Sequence, residues 1–321
     1  MKIDHFLQIN GWDEAEQFPL AGDASARRYI RLCSGLKRAI LMIDPRGDIP
    51  RFAALAEHLR SVGLSAPEVF AQSDDFMLLE DFGDAQFARV IADAPDKEIP
   101  LYEAATDLLY HLESQPVPSG LVTATPQLLG EMIEPAFTHY LSMLGVAPDD
   151  RAEEITLRLT ELLERHLPKE TVLVLRDFHA ENMIWLPDRD GVRRVGLLDF
   201  QDALAGPPVY DLVSMLQDAR RDVSEACVNS TLRYYIETSG RTETEVVTAF
   251  HLLGLQRNLR ILGIFARLAK DRGKPGYMAL VPRVWAHIRT SLSAPVAQPL
   301  QTLVSDLFPE PTEDRLTSGV A

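Results

Sequence analysis

The sequence predicts an α+β fold in which a small strand-rich lobe precedes a larger, mostly helical one. Three observations carry this reading. Residues 1–80 break into short apolar or alternating runs separated by turn residues. After Gly83 the apolar residues recur at helical spacing over long stretches. One strand-rich island, residues 172–199, interrupts the helices. The expected division is an N-terminal lobe over 1–80, a hinge at 81–84, a C-terminal lobe over 85–308 and a mobile, Pro/Glu-rich tail at 309–321.

Each element has its own signal. Arg28 to Leu32 and Arg38 to Ile43 alternate or run apolar around Ser34 and Gly35, which reads as a hairpin. Phe52, Leu55 and Leu59 fall at helical intervals, and Pro50 suits a helix start. Val69-Phe70 and Phe76 to Leu79 read as short strands, the second closed by Glu80 and Asp81. Leu101 to Leu112 and Leu128 to Leu144 are apolar-periodic, and Ala152 to His166 alternates charged and leucine positions. Helices resume from Val209, notably Thr242 to Lys270 and Val281 to Ser291.

Composition bounds the function. At 321 residues the chain suffices for one large or two ordinary domains, and 46% hydrophobic residues can fill a core. Lys and Arg total 32 against 47 Asp and Glu, a net charge of -15, which argues against a non-specific nucleic-acid binder. Cys33 and Cys227 form no CxxC motif, as expected of a reducing cytoplasm. The first ten residues are too polar for a signal peptide, and no apolar run approaches the ~20 residues that span a bilayer. The expectation is an acidic, soluble, cytoplasmic monomer without nucleic-acid or membrane partners.

The chemistry concentrates in the island. Two apolar runs, Met183 to Leu186 and Val195 to Leu198, flank Asp190-Gly191, a two-residue hairpin signal. With those residues as the turn, Asn182 faces Asp199 at a Cβ separation of roughly 5 Å. An amide oxygen and a carboxylate so placed suit Mg²⁺, which takes a few protein oxygens plus substrate phosphates. Asp177 lies on the loop entering the hairpin. Pro187 is awkward in this register and allows a wider loop about the same centre.

Asp177-x-x-x-x-Asn182 followed by Leu197-Leu198-Asp199-Phe200 resembles the catalytic loop and metal motif of the aminoglycoside phosphotransferase family, which has the protein-kinase-like fold. The similarity runs from Ala21 to about Ala286. Residues 22–29, 78–84, 198–203, 263–267 and 273–277 most resemble the branch that phosphorylates the anomeric hydroxyl of N-acetylmuramate or N-acetylglucosamine in cell-wall recycling. The resemblance implies that Asp177, in a catalytic loop over 175–182, is the base that receives the acceptor proton. It implies that Asn182 and Asp199, the latter in a motif over 197–202, hold Mg²⁺ on ATP. Ser25 and Ala26 would bring backbone N–H groups to a phosphate, and Glu80 and Phe82 would meet the adenine through the hinge backbone.

Two departures stand out. Leu175 occupies the place where the family usually has His, and Met42 the place of the strand lysine that grips the α- and β-phosphates. Arg27 or Arg28 is the expected substitute, because an Arg can take phosphate oxygens bidentately. Glu57, without a strand partner, reads as a solvated charge.

Other residues keep two readings. Asp202 reads equally as a substrate ligand or a structural cap, and Asp211 as a helix cap or a buttress of the loop. Arg260 and Arg267 share a helical face in a locally basic stretch, which suits either an anionic substrate or ion pairing with acids. Trp285 reads as core. The acceptor favoured by the resemblance is an amino sugar; aminoglycosides, other small alcohols, or a catalytically silent nucleotide-binding protein are the alternatives.

Overall fold

A computed structural model of the chain describes residues 2–20, 27–45 and 47–320. The chain divides into two compact units, one of residues 1–111 and 180–202, the other of 112–179 and 203–321. The division differs from the expected boundary at 81–84: residues 85–111 and the hairpin of the island pack with the first unit.

The first unit is built on an antiparallel sheet, order β1-β2-β3-β5-β4, of strands Glu16–Pro19, Arg28–Ser34, Lys37–Ile43, Val69–Gln72 and Phe76–Leu79 for β1 to β5. The β2–β3 hairpin turns at Gly35, at φ 59°, and the exposed Leu36. Leu32, Leu41 and Leu78 share one buried face with Phe6 and Leu7 of helix α1 (Ile3–Ile9). Neither α1 nor β1 has a clear sequence signal. Helix α2 (Ile49–Ser61) starts where Asp48 accepts the N–H of Arg51, and its Phe52 ring lies 4.9 Å from that of Phe200. Helices α3 (Phe87–Asp93) and α4 (Glu98–Glu113) follow. Arg31 of β2 pairs with Asp81 at 2.7 Å and with Asp84 at 2.9 Å.

In the second unit, α9 (Glu243–Asp271) is a central helix of 29 residues, opened by a capping box between Thr242 and Glu245. The helix expected over 128–144 is divided into α5 (Pro126–Glu131) and a π-helical turn, Ala136–Leu141. Pro135 lies at the break and has no N–H to continue the ladder. Helices α6 (Asp150–His166), α7 (Tyr210–Leu216), α8 (Glu225–Ser239), α10 (Val281–Leu292) and α11 (Gln298–Leu307) complete this unit with a ribbon of β6 (Val172–Val174) and β9 (Leu204–Gly206). The tail expected to be mobile contains helix α12 (Glu313–Val320), which buries Leu316.

The island's hairpin is corrected by one residue. Strand β7 (Met183–Trp185) pairs with β8 (Val195–Leu197) so that Met183 faces Leu197 and Trp185 faces Val195. Leu198 therefore stands opposite Asn182 and donates its N–H to the Asn182 carbonyl at 2.9 Å. The reason lies in the connection. Residues 187–194 make a long loop with a 3₁₀ turn at Gly191–Arg194, and Pro187 cannot donate to the tight turn that Asp190-Gly191 would need.

Candidate active site

In the first unit the metal motif sits just beyond β8. Asp199 adopts φ 56°, an uncommon left-handed conformation for a non-glycine residue, where the chain turns out of the strand. Its Oδ1 accepts from Gln201 Nε2 at 2.9 Å and from Arg27 Nη1 at 3.3 Å, yet its side chain stays 43% exposed. Arg27 also donates through Nε to Asp44 at 2.6 Å, with both side chains largely buried. Burial opposes the Arg27 charge, but the hydrogen bond to Asp44 and the nearby acids hold its pKa above the ordinary arginine value. Asn182 is half-buried immediately before β7.

This donor set suits Mg²⁺. An amide oxygen and a partly exposed carboxylate are hard ligands, and among the described residues no group of three or more His, Cys, Asp or Glu could hold a metal unaided. A metal here would take its remaining ligands from water and phosphate, as Mg²⁺ does.

The base candidate, Asp177, belongs to the second unit, on the turn after β6. That turn is unusual at Arg176, with φ 74°. Asp211, buried in the first turn of α7, accepts the N–H of Leu175 at 2.6 Å and of Arg176 at 2.8 Å. Its role is thereby the buttress rather than the cap: the N-cap position belongs to Val209. Burial pushes the Asp211 carboxyl up to about 7, although both N–H donors and Arg257 pull the other way. Ser214 donates to the Arg176 carbonyl at 2.9 Å and accepts from Arg257 at 2.6 Å. The loop is thus held by its main chain, on groups that come from α7 and α9. His179 is buried with Arg220 Nη1 3.2 Å from its Nε2.

Arg260 and Arg267 part company. Arg267 is exposed, whereas Arg260 is half-buried, with Asp177 and Arg176 within electrostatic reach. Burial first, and the like charge of Arg176 second, push the Arg260 pKa down to about 10. In the first unit Asp202 and Glu57 are exposed. Arg28 is also exposed at the head of β2, so the arginine linked to Asp199 is Arg27. Met42 is buried in the sheet opposite Met77. The Glu80 N–H is committed to the Glu68 carbonyl at 2.8 Å, and the Phe82 ring carries Arg189 at 5.0 Å. Ser25 and Ala26 lie outside the described residues. Trp285 is buried in α10, and neither Cys33 nor Cys227 is in a disulfide.

Sequence reasoning missed Asp44 and Ser214, and read Arg257 only as part of the locally basic stretch. Asp44 had only its place at a strand end as a signal, and Ser214 lies in an apolar helical run that reads as ordinary.

The phosphotransferase enzyme family matches this chain over residues 17–247. The chain belongs to that family. It is 34% identical to the N-acetylmuramate/N-acetylglucosamine kinase of Caulobacter vibrioides, with 96% of each chain covered. It is 31% identical to the kinase of the same name from Pseudomonas aeruginosa, over 91% of this chain and 89% of the relative. Among solved structures it is similar to a choline/ethanolamine kinase family protein from Mesorhizobium loti, with a TM-score of 0.66 at 16% identity over 94% of this chain and 96% of the other. It is also similar to ADP-bound aminoglycoside phosphotransferase APH(2'')-Ib, with a TM-score of 0.60 at 17% identity over 91% and 99%. The fold is therefore protein-kinase-like, and this family member is a phosphotransferase acting on hydroxyl groups.

Proposed function

We propose that the chain is an ATP- and Mg²⁺-dependent kinase that phosphorylates the anomeric hydroxyl of N-acetylmuramate or N-acetylglucosamine in the cytoplasm. The observation that carries the chemistry is Asp177 on a loop whose main chain is gripped by buried Asp211. The acceptor follows from similarity to sugar kinases along nearly the whole chain.

In this reading Asp177 accepts the proton of the sugar C1 hydroxyl. The sugar oxygen forms a bond to the γ-phosphorus as the bond to the β–γ bridging oxygen breaks, and ADP leaves with that electron pair. Asn182 and Asp199 hold the metal, and Arg27 and Gln201 fix the Asp199 carboxylate. Mg²⁺, when bound, offsets charge on the phosphates. Positioning and electrostatics supply most of the acceleration in such transfers.

The test is a coupled ATP-consumption assay with Mg²⁺ across N-acetylmuramate, N-acetylglucosamine, unmodified sugars, choline and aminoglycosides. Turnover with the N-acetyl sugars, abolished when the anomeric oxygen is methylated, is the expected result. Turnover confined to another acceptor, or none with either sugar, overturns the reading.

A further inference from the structure

We infer that Arg189 is a positioning residue: it locks the hinge segment after β5 onto the hairpin that carries Asn182 and Asp199, so that the two ends of a bound nucleotide are held in one register. The inference rests on the kinase reading, in which those two residues hold the metal on ATP and the hinge backbone meets the adenine. It adds to that reading a residue that lies outside the motif.

Asn182 and Asp199 stand at the open end of the β7–β8 hairpin, where the Leu198 N–H closes on the Asn182 carbonyl. The connection 187–194 lies at the opposite end, three paired residues or roughly 10 Å away. Both outer edges of the hairpin are taken. Trp185 donates its N–H to the Ala85 carbonyl at 2.7 Å, and Leu197 donates to the Ser65 carbonyl at 2.8 Å. The Phe82 ring rests against β8, where a Cβ on Gly196 would come within 2.9 Å of Phe82 Cδ2. The hinge therefore lies on the hairpin only because position 196 carries no side chain.

Arg189 closes this arrangement at the loop end. Its N–H donates to the Leu186 carbonyl at 3.1 Å, which fixes where the side chain starts. Nη1 donates to Ser65 Oγ at 2.7 Å, Nη2 donates to the Glu80 carboxylate, and Cζ lies 5.0 Å from the centroid of the Phe82 ring. Ser65 is buried and donates its hydroxyl to the Arg193 carbonyl at 2.6 Å. One guanidinium thus joins the segment before β4, the hinge and the hairpin loop, all within the first unit. An ordinary exposed ion pair contributes little. Here a carboxylate, a hydroxyl and a ring are engaged at once, with the Arg189 and Glu80 side chains only 32% and 25% exposed. An arginine can serve all three, because its fork has donors for two acceptors while its flat face covers the ring.

Calorimetric titration of ADP, once with Mg²⁺ and once with a chelator, into the wild type, Arg189→Gln and Arg189→Lys tests this. ADP binding does not depend on the acceptor, so a failure of the sugar assignment leaves the test intact. In the wild type Mg²⁺ should tighten ADP binding. Arg189→Gln should weaken MgADP at least about fivefold and shrink the gain from Mg²⁺. Arg189→Lys keeps the charge on Glu80 and should recover part of both. With the acceptor that turns over, KM for ATP should rise in step while kcat at saturating ATP stays within about twofold, a split that a merely destabilised fold would not produce. Unchanged MgADP affinity in Arg189→Gln overturns the inference. So does an equal loss with and without Mg²⁺, since Arg189 would then serve the hinge alone, and so does a fall in kcat with KM unchanged. If Mg²⁺ did not tighten ADP binding by the wild type, the metal reading would fail and take the inference with it.

Discussion

Asp211 reaches across 36 positions of sequence to accept the backbone N–H of Leu175 at 2.6 Å. The grip is on the main chain, so it needs no particular side chain there, and Leu175 can bury itself in the core at 3% exposure. Arg176 follows with its N–H on the other carboxylate oxygen at 2.8 Å, and the left-handed turn at Arg176 is stabilised from both ends.

Replacing Asp211 by Asn should therefore damage activity more than its distance from the reacting atoms suggests. The amide keeps one acceptor oxygen and turns an NH₂ group toward the second N–H. The cost is about 1–3 kcal/mol, that of one lost charge-assisted hydrogen bond with a buried donor left unpaired. The loop that carries Asp177 then loosens, and kcat should fall at least about tenfold while nucleotide affinity is retained. Full activity in Asp211→Asn would separate the grip from catalysis.

The same residue sets a pH dependence of stability. In the unfolded chain the Asp211 carboxyl titrates near 3.8; in the fold, burial raises it to about 7. Between those values the folded state holds a proton that the unfolded state has released. Stability must then fall as pH rises through that window and level off above about 7. Urea midpoints measured from pH 4 to 8 should show this slope in the wild type and a flatter one in Asp211→Asn. Equal slopes would mean that Asp211 titrates normally.

Much of this is legible in sequence, and the failures have physical causes. The β2–β3 hairpin, α2, and the long helices of the second unit announce themselves by local periodicity, which is what tertiary packing then uses. The island's hairpin is recognisable, but its register reads one residue off, because a turn dipeptide outweighs the proline beside it. Helix α5 ends early because Pro135 interrupts a stretch whose apolar spacing continues past it. Asp177, Asn182 and Asp199 are picked out as candidates by a motif that resembles the family's. The link of Arg27 to Asp199 cannot be picked out in that way, since its partners stand 172 positions apart and no pattern within either segment encodes the other. The same holds for Asp211, whose place in the first turn of a helix looks like ordinary capping.

Asp177→Asn should leave MgATP binding nearly unchanged and reduce kcat by a factor on the order of 10²–10⁴, the usual contribution of a positioned general base. Single-turnover kinetics would locate the loss in the transfer step. A variant that turns over normally would remove proton acceptance by Asp177 from the mechanism.

The pair of Arg27 with Asp44 is partly buried and charge-assisted, so its loss should be felt in stability as well as at the metal site. Arg27→Gln and Asp44→Asn should each destabilise, and the double variant less than their sum, with a coupling energy of about 1–3 kcal/mol. Arg27→Gln should also raise the Mg²⁺ concentration needed for half-maximal nucleotide binding, because Asp199 loses a donor. Additive destabilisation would show that the two side chains do not act together.

Gly263 tests the packing of the central helix. Glycine inside a helix is ordinarily a weakness, and replacing it by alanine gains about 1 kcal/mol. At this position a Cβ would lie 2.0 Å from the carbonyl carbon of Pro135, 2.2 Å from its oxygen and 2.4 Å from the Ala136 nitrogen. All three are backbone atoms at the head of the π turn, so nothing there can rotate away. The helix must retreat or the turn must shift, and overpacking of that kind costs about 1–3 kcal/mol, enough to reverse the sign of the propensity gain. A Cβ at Gly276, by contrast, would meet no atom within 4 Å. Gly263→Ala should thus lower the midpoint of urea unfolding while Gly276→Ala leaves it near the wild-type value. A neutral or stabilising Gly263→Ala would mean that α9 does not approach the Pro135 turn this closely.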